Sequence, residues 1–426
     1  MTALPSTSLA EVLNRECVCQ TLDSKRLLQQ WQSDPTLSAL GESILTQRPH
    51  LFSATSVFIS PLQQQQMQQL ITAIEQVVAL PAYRQAVLHQ APNIAQLSNP
   101  ARGVFLGYDF HLSPQGVQLI EINTNAGGAL LNTHLARAQT ACCQDMAWAS
   151  AANHQLANLE HTFFEMFMSE WRSQRGSAPL HRIAIIDDDP NSQYLQPEFQ
   201  LFQQLFQSFG VDAVVIDARE LTWRDQQLWA QEQAIDLVYN RLTDFYLIDD
   251  SHHALRHAYE ANAIVLTPHP QAHAIYANKH NLVRLSHESS LSELGINAET
   301  QSLLLKTIPT TEAVTLAQAD DLWARRKQLF FKPANGYGSK ATYRGDKITR
   351  RVWEEILQGD YVAQRLVPPS ARRLHAEGVE SELKMDIRAY AYAGTMQLIA
   401  ARLYTGQTTN FRTSGGGFAP VFLMPN

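Results

Sequence analysis

Cysteine is scarce in this chain, with only four in 426 residues. Cys17 and Cys19 form one close pair, and Cys142 and Cys143 form another. Neither pair can connect distant parts of a fold by itself, and no second His/Cys cluster lies near enough in sequence for a zinc site. The C-x-C spacing also differs from the redox motif C-x-x-C. We therefore expect reduced cysteines with a structural role.

Long apolar runs and an excess of basic charge are also absent. No stretch reaches the roughly 18 consecutive apolar residues of a membrane-spanning helix. The N-terminus lacks the basic start and apolar core of a secretion signal. The formal net charge of -7 argues against nucleic acid or an anionic membrane as the main partner, because a basic surface normally carries such binding. We expect a cytoplasmic location.

The composition is that of an ordinary globular protein of two or three domains, with 45% hydrophobic and 17% charged residues. Residues 1–175 show helical patterns and one hairpin. After the linker SQRGSAP, residues 180–270 alternate short apolar strands with helices, which predicts a parallel α/β layer. Residues 271–426 mix helices with longer strands. These three segments are the predicted domains.

The stretch GYDFHLSPQGVQLIEINTNAGG at 107–128 predicts a β-hairpin that turns at residues 113–116. With the turn centred on Gln115, partners have numbers that sum to 230, so Asp109 faces Glu121. Asn123 shares the face of Glu121, because side chains alternate along a strand. By the same alternation we expect Ile120 and Ile122 to point into the core.

Two facing carboxylates repel each other unless a cation lies between them. Asp109, Glu121 and Asn123 offer hard oxygen donors and leave coordination positions free, which suits Mg²⁺ or Mn²⁺ bound to phosphates. A strand that simply ends in polar residues is the alternative for this stretch alone.

In FFKPANGYGSKATY, Lys332 ends an apolar run and is followed by Gly336, Gly338 and Ser339. An ammonium beside a glycine loop with free backbone N–H groups can hold phosphates. The Walker sequence G-x-x-x-x-G-K-[ST] is absent. A hairpin with an exposed lysine is the alternative interpretation.

Near the C-terminal end, Arg402, Asn410, Arg412 and the glycines at 415–417 fall within sixteen residues, and Arg388 lies on the neighbouring predicted strand. Arginine forks and glycine loops bind phosphate and carboxylate oxygens. A solvated basic strand is the alternative.

Taken in order, these motifs resemble those of the ATP-grasp superfamily, and of glutathione synthetases in particular. The order is Lys279, IPTTEAV, FFKPANGYGSKATY, DYVAQRLVPP, DIRAYAY and ARLYTGQTTNFRTSGGG. In the usual family order a D…E-x-N element comes last, whereas here it resembles the hairpin at 107–125. The chain is thus similar to the circularly permuted branch, which includes eukaryotic-type glutathione synthetase and glutathionylspermidine synthetase.

The resemblance implies a role for each motif. Lys279 and Lys332 would hold ATP phosphates next to the loop of Gly336, Gly338 and Ser339. The adenine-binding strand would contribute Gln364, Arg365 and Val367. The catalytic set would be Arg388 and Arg402 on the transferring phosphate and Asn410 and Arg412 on a carboxylate. The metal ligands would be Asp109, Glu121 and Asn123.

The expected fold class is therefore α/β (α+β): a circularly permuted ATP-grasp fold with an inserted parallel α/β, Rossmann-like substrate domain. The expected function is that of an ATP- and Mg²⁺- or Mn²⁺-dependent ligase joining a carboxylate to an amine through an acyl phosphate. The substrates would be small molecules, with an amino acid or peptide among the candidates. A homodimer is expected by analogy only. An ATP-dependent phosphotransferase and a non-catalytic ATP-binding module remain the alternatives.

Overall fold

The computed structural model describes residues 8–32, 35–139, 156–336, 338, 340–376 and 379–424. Cys142, Cys143 and Ser339, three residues singled out above, lie outside these ranges. In the described part of the chain, no helix is long and apolar enough to cross a membrane.

The strands are numbered in chain order. They are β1 (Val57–Ile59), β2 (Leu106–Ser113), β3 (Gly116–Asn123), β4 (Arg182–Asp187), β5 (Asp212–Asp217), β6 (Thr222–Arg224), β7 (Gln227–Ala230), β8 (Gln233–Ala234), β9 (Leu237–Asn240), β10 (Val265–Thr267), β11 (Thr311–Ala313), β12 (Leu329–Pro333), β13 (Tyr343–Arg344), β14 (Tyr361–Arg365), β15 (Ser370–Ala376), β16 (Val379–Tyr392), β17 (Thr395–Tyr404) and β18 (Gly417–Leu423).

The α-helices of the described residues cover Leu9–Glu16, Ser24–Gln29, Pro35–Gln47, Pro61–Val78, Pro81–Leu88, Asn93–Gln96, Ala129–Arg137, Leu159–Arg175, Gln196–Ser208, His253–Glu260, Pro270–Ala272, His280–Leu285, Glu288–Glu293, Ala298–Thr307, Ala319–Arg325 and Arg350–Gln358. A π-helical turn, His273–Ala277, precedes Lys279.

The largest sheet contains the predicted hairpin. Its strand order is β1-β18-β17-β16-β2-β3, with β15 paired to β16. All of these pairs are antiparallel except β1 with β18. The helix Pro61–Val78 buries its apolar face in the same hydrophobic core. Its N-terminus is fixed by a capping box, in which Ser60 and Gln63 bond each other's backbone N–H.

The hairpin keeps the predicted register from Gly107 to Asp109 but is shifted by one residue from Phe110 to the turn. Asp109 does face Glu121, but the next pair is Phe110 with Leu119, so β3 carries a bulge at Ile120. The expectation that Ile120 enters the core is wrong, because the bulge turns its side chain to the wall of a cavity. Ile122 is buried as expected.

A second, four-stranded sheet has the order β11-β14-β12-β13 and is antiparallel throughout. Its small core includes Leu322, Phe331 and Trp353, so two helices, Ala319–Arg325 and Arg350–Gln358, cover one face. Lys332 is the penultimate residue of β12, and Gln364 lies on the neighbouring strand β14. This sheet therefore carries the predicted phosphate lysine and the predicted adenine-binding strand together.

A third sheet, in the segment 180–270, is parallel with the order β10-β9-β4-β5. The loops after β4 and β9 are tied together by His252, whose side chain is only 2% exposed. Its Nδ1 lies 2.9 Å from an oxygen of Asp244, and its Nε2 lies 2.8 Å from an oxygen of Asp188. Burial by itself would lower the pKa of His252, but the hydrogen bonds to Asp244 and Asp188 outweigh it and raise the pKa to about 9.

This raised pKa predicts how stability depends on pH. Since protonated His252 is favoured in the folded state, its contribution is complete below the unfolded pKa of about 6.5 and is lost as pH rises through about 9. The difference in unfolding free energy between wild type and His252→Gln should therefore shrink by roughly 2 to 3 kcal/mol from pH 6 to pH 10. Urea unfolding at several pH values measures it.

The matched control is His257→Gln, because the side chain of His257 is 57% exposed. This control should track the wild type at every pH. A wild-type advantage over His252→Gln that is the same at pH 6 and pH 10 would contradict the assigned charge state.

Candidate functional site

A row of charged side chains crosses the large sheet. On the neighbouring strands β3, β2 and β16, the directly paired residues are Glu121, Asp109 and Arg388. Two residues before Arg388 on β16, Asp386 pairs with Arg402 on β17. Because residues two apart on a strand share a face, the strand register alone brings these five side chains together.

Asp109 lies at the centre of this row and bonds both arginines. Its two oxygens accept hydrogen bonds from Nε and Nη2 of Arg388, at 2.6 and 2.7 Å. Nη2 of Arg402 bonds Oδ2 at 2.9 Å, while its Nε bonds Asp386 at 2.7 Å. The amide of Asn123 adds a fourth contact with Asp109 at 3.1 Å. The side chain of Asp109 is only 4% exposed.

The electrostatics of Asp109 follow from these contacts. Burial by itself would raise the pKa of its carboxyl group, but the charges and hydrogen bonds of Arg388 and Arg402 outweigh it and lower the pKa to about 2. The arginines therefore supply the cationic charge that compensates Asp109, while the amide nitrogen of Asn123 bonds both Asp109 and Glu121. Gly107, the next residue on this face, leaves room for them, because a Cβ there would lie 2.5 Å from Cβ of Ala126 and 3.3 Å from Nε of Arg388.

One terminal nitrogen of each arginine remains available to bind a ligand. Nη1 of Arg388 and Nη1 of Arg402 have no hydrogen-bond partner within the part of the chain that the structure describes. Glu121 is also more open than Asp109, with a side chain that is 30% exposed and a nearest ammonium, that of Lys279, at 3.9 Å. The site thus presents both cationic and anionic groups that the protein does not use.

The two predicted phosphate lysines, Lys279 and Lys332, lie close to the same group of side chains. Lys332 donates from Nζ to the carbonyl oxygen of the bulge residue Ile120 at 2.9 Å and to Oε1 of Gln364 at 2.8 Å. Lys279 donates to the carbonyl oxygen of Gly336 at 2.8 Å. Burial lowers the pKa of both ammonium groups, to about 8 for Lys332. Two residue stretches more than two hundred positions apart therefore meet, as the motif order predicts.

Two cavities surround these groups. The first, of about 390 Å³, we name the Lys332 cavity. It contains predicted residues for metal, phosphate and adenine binding, namely Asp109, Glu121, Lys279, Lys332, Gly336, Gly338, Gln364, Arg365, Val367 and Arg402.

The second, of about 990 Å³, we name the Arg241 cavity. Its predicted residues are Glu121, Asn123, Lys279, Gly336, Gly338, Arg388, Arg402, Asn410 and Arg412. The two cavities share the wall formed by Glu121, Lys279 and Arg402, together with Gly336, Gly338, Thr408 and Thr409. Every predicted site residue within the described ranges thus lines one cavity or both, and Ser339 lies outside those ranges.

The loop at 405–413 separates the cavities. Asn410 uses its side chain inside this loop, since its amide donates to the carbonyl oxygens of Thr405 and Thr408 and its Oδ1 accepts from Arg412 N–H. Thr409 donates to Asp386. The geometry therefore gives Asn410 a part in shaping the loop in addition to its predicted contact with a carboxylate.

Three residues of the site were not predicted from sequence patterns: Asp386, which fixes Arg402 and the loop; Arg241, which lines the large cavity; and His111, which lines the small one. Asp386 precedes Arg388 by two residues and His111 follows Asp109 by two. Strand alternation could have placed both of them on the same face. Arg241 follows β9 without any comparable signal.

The side chains do not form a preassembled metal centre made of protein ligands alone. Within the described ranges, no group of three or more His, Cys, Asp or Glu side chains is arranged to hold a metal ion. The donor set around Glu121 is its accessible carboxylate, the side-chain oxygen of Asn123, whose amide nitrogen donates to Glu121 at 3.3 Å, and the arginine-bound Asp109. Such hard oxygen donors fit a Mg²⁺ ion that takes its other ligands from phosphates and water.

Comparison with known proteins identifies the fold. No protein-family model and no curated protein sequence matches the chain. Among solved structures it is similar to a glutathione synthetase like-effector from Globodera pallida, with 10% identity and a TM-score of 0.56 over 94% of this chain and 98% of that one. It also matches a putative gamma-glutamylcysteine synthetase from Methylobacillus flagellatus KT, at 10% identity and a TM-score of 0.46, over 82% and 83% of the chains.

A further match is the ATP-grasp ligase PsnB complexed with a minimal precursor, at 11% identity and a TM-score of 0.29, over 57% of this chain and 89% of that one. The first likeness spans nearly the whole of both chains. It shows that this chain has a mixed α/β fold of the glutathione synthetase-like type, and it confirms the predicted resemblance at the level of the fold.

The contacts of Asp109 and Glu121 predict different effects of the same chemical change. Asp109→Asn leaves the buried guanidinium group of Arg388 without its anion and that of Arg402 with Asp386 alone, and should lower the free energy of unfolding by about 3 to 5 kcal/mol. Glu121→Gln, at the more exposed position, should change it by less than about 1 kcal/mol. Urea unfolding of both variants compares these values. Equal losses in the two variants would contradict the structural role of Asp109.

Proposed function

We propose that the protein is an ATP-grasp ligase that joins the carboxylate of one small molecule to the amine of another, with conversion of ATP to ADP and phosphate. The observation that carries this proposal is the wall shared by the two cavities, where Glu121, Lys279 and Arg402 face both spaces. A group held in one cavity and transferred to a ligand in the other would have to pass this wall.

The Lys332 cavity would take the nucleotide. Its lining contains both Val367 of the predicted adenine-binding strand and the predicted phosphate-binding groups Lys279 and Lys332, so one cavity could take the base and the phosphates of a nucleotide. Charge supports this choice, because the lining carries six cations against four carboxylates: Lys279, Lys332, Arg344, Arg365, Lys384 and Arg402 against Asp109, Glu121, Glu382 and Asp386. A polyphosphate with Mg²⁺ restores the balance.

Glu121 and Asn123 would hold the Mg²⁺ ion, and Asp109 would complete the set. When bound, the ion supplies positive charge at the phosphate oxygens. The protein's own part is to position the reactants and to neutralise charge. Lys279 and Lys332 hold phosphates, and the free Nη1 groups of Arg388 and Arg402 point to where anionic oxygens would lie.

The proposed reaction has two steps. A carboxylate oxygen attacks the γ-phosphorus of ATP, and ADP leaves. The amine nitrogen then attacks the carbonyl carbon of the acyl phosphate, inorganic phosphate leaves, and the amine proton is released. Both steps develop negative charge on phosphate oxygens beside Arg402, which lines both cavities.

The Arg241 cavity would take the acid substrate. Its lining contains six cations, Arg241, Arg388, Arg402, Arg412, Lys279 and Lys340, whereas Glu121 is the one acidic residue among the described residues of that lining. This charge favours an amino acid or peptide with carboxylate groups and disfavours a polyamine as its first occupant. Tyr194 and Phe245 provide aromatic surface in the same cavity.

The motif order supports circular permutation, since the hairpin with Glu121 and Asn123 precedes the strands that carry Lys332 and Arg402. In this proposal, residues 180–270 form a Rossmann-like substrate domain between residues 1–175 and the nucleotide-binding part at 271–426. The parallel sheet and Arg241 of that middle segment support this division.

Activity should require an acid, an amine and Glu121. We expect ADP release with Mg·ATP only when both substrates are present, from a panel of amino acids and short γ-glutamyl peptides. Glu121→Gln should reduce the rate at least about hundredfold while the fold is retained. The exposed Glu299→Gln serves as control. Amine-independent ADP release with a stable phosphorylated acid would instead indicate a phosphotransferase, and ATP binding without turnover would indicate a non-catalytic module.

The pKa of Lys332 predicts the pH dependence of ATP binding. Since an ammonium group of pKa about 8 loses its charge as pH rises, the Kd for ATP should increase above pH 8, by up to about tenfold per pH unit. Lys332→Met should bind ATP weakly and with a flatter pH profile. Calorimetry between pH 7 and 9 measures both, with the exposed Lys327→Met as control. A wild-type Kd that stays constant from pH 7 to 9 would contradict this role.

A further inference from the structure

His111 lines the Lys332 cavity but takes no part in the transfer described above. It follows Asp109 by two residues on β2, so both side chains lie on the same face of the sheet. Its imidazole ring reaches Val367, just beyond the end of β14, with Nδ1 at 2.7 Å from the Val367 carbonyl oxygen. His111 therefore links the strand of the carboxylate cluster to the predicted adenine-binding segment.

This contact fixes the tautomer of the ring. A carbonyl oxygen can only accept a hydrogen bond, so Nδ1 of His111 carries the proton. In the neutral ring, Nε2 then has a free lone pair. No group in the part of the chain that the structure describes bonds this nitrogen.

His111 belongs to the lining of the Lys332 cavity, and the Val367 carbonyl oxygen occupies its Nδ1, so Nε2 is the ring nitrogen left for a ligand. The cavity thus contains a hydrogen-bond acceptor with no partner from the protein.

We propose that His111 selects the nucleotide by accepting, through Nε2, a hydrogen bond from a donor group of the nucleoside. The proposal rests on the proposed function, which places ATP in this cavity. Two groups of ATP have the required chemistry, the exocyclic amine of adenine and a ribose hydroxyl. The contact with Val367, within the segment predicted to bind adenine, favours the amine. An oxo-purine would place an acceptor against Nε2 and leave both groups unpaired.

Two substitutions test the roles of the two ring nitrogens of His111 separately. His111→Asn keeps a side-chain amide near the position of Nδ1, where it can still donate to Val367, and removes Nε2. His111→Gln places an amide, with its acceptor oxygen, near the position of Nε2. A purely structural role of the bond to Val367 would alter the affinity for all nucleotides alike, whereas the proposed role alters the ratio between nucleotides.

The experiment measures Kd by calorimetry, with Mg²⁺, for ATP, inosine triphosphate, 2'-deoxyATP and 3'-deoxyATP. We expect wild type to favour ATP over inosine triphosphate by about tenfold or more. That ratio should fall several-fold in His111→Asn and be largely retained in His111→Gln. If the ribose is the donor, the same pattern appears in the ratio of ATP to one deoxy nucleotide. Thermal unfolding of each variant checks the fold.

Ratios that are the same in His111→Asn as in wild type would overturn the inference while leaving the proposed function intact. Equal affinity of the wild-type protein for all four nucleotides would also overturn the inference, before any variant is measured. If wild type binds none of them, the proposed function fails together with this inference, so the two failures are distinguishable.

Discussion

The bond from Asp109 to both Arg388 and Arg402 is the interaction on which the site depends. A buried carboxylate needs compensating charge, and two buried guanidinium groups need an anion, so each makes the burial of the others tolerable. The strand register of β2, β16 and β17 brings them together, and Asp386 fixes the outer arginine. The network uses only Nε and Nη2 of each arginine. The two Nη1 groups therefore remain available to bind anions without disturbing the sheet.

The charged groups around this network line two cavities, for which we propose different ligands. Lys332 and Lys279 bound the smaller space, Arg241 and Arg412 bound the larger one, and Arg402 faces both. Positive charge therefore continues from a nucleotide-sized cavity into a cavity of more than twice its volume. Such continuity suits a reaction in which a phosphate is transferred and then displaced, because negative charge moves along the same path. The loop at 405–413 separates the spaces and is anchored through Thr409 to Asp386.

Much of this arrangement follows from local sequence patterns. The alternation of side chains along the strands and the turn residues at 113–116 predicted the hairpin and the pairing of Asp109 with Glu121. The order of the motifs predicted the glutathione synthetase-like fold. The bulge at Ile120 was missed because register counting assumes a regular ladder, and the bulge in fact supplies the carbonyl oxygen that Lys332 bonds. The contact of Asp109 with Arg388 joins residues 279 positions apart, and nothing local predicts such pairing. Arg241 was missed for the same reason, whereas the alternation beside Asp109 could have revealed His111.

The most direct test of this account is a crystal structure of the protein with Mg²⁺ and a non-hydrolysable ATP analogue. We expect the base beside Val367 in the Lys332 cavity, the terminal phosphate at the shared wall of Glu121, Lys279 and Arg402, and Asp109 still bonded to both arginines. A nucleotide bound in the Arg241 cavity, or one whose phosphates lie away from the shared wall, would contradict it.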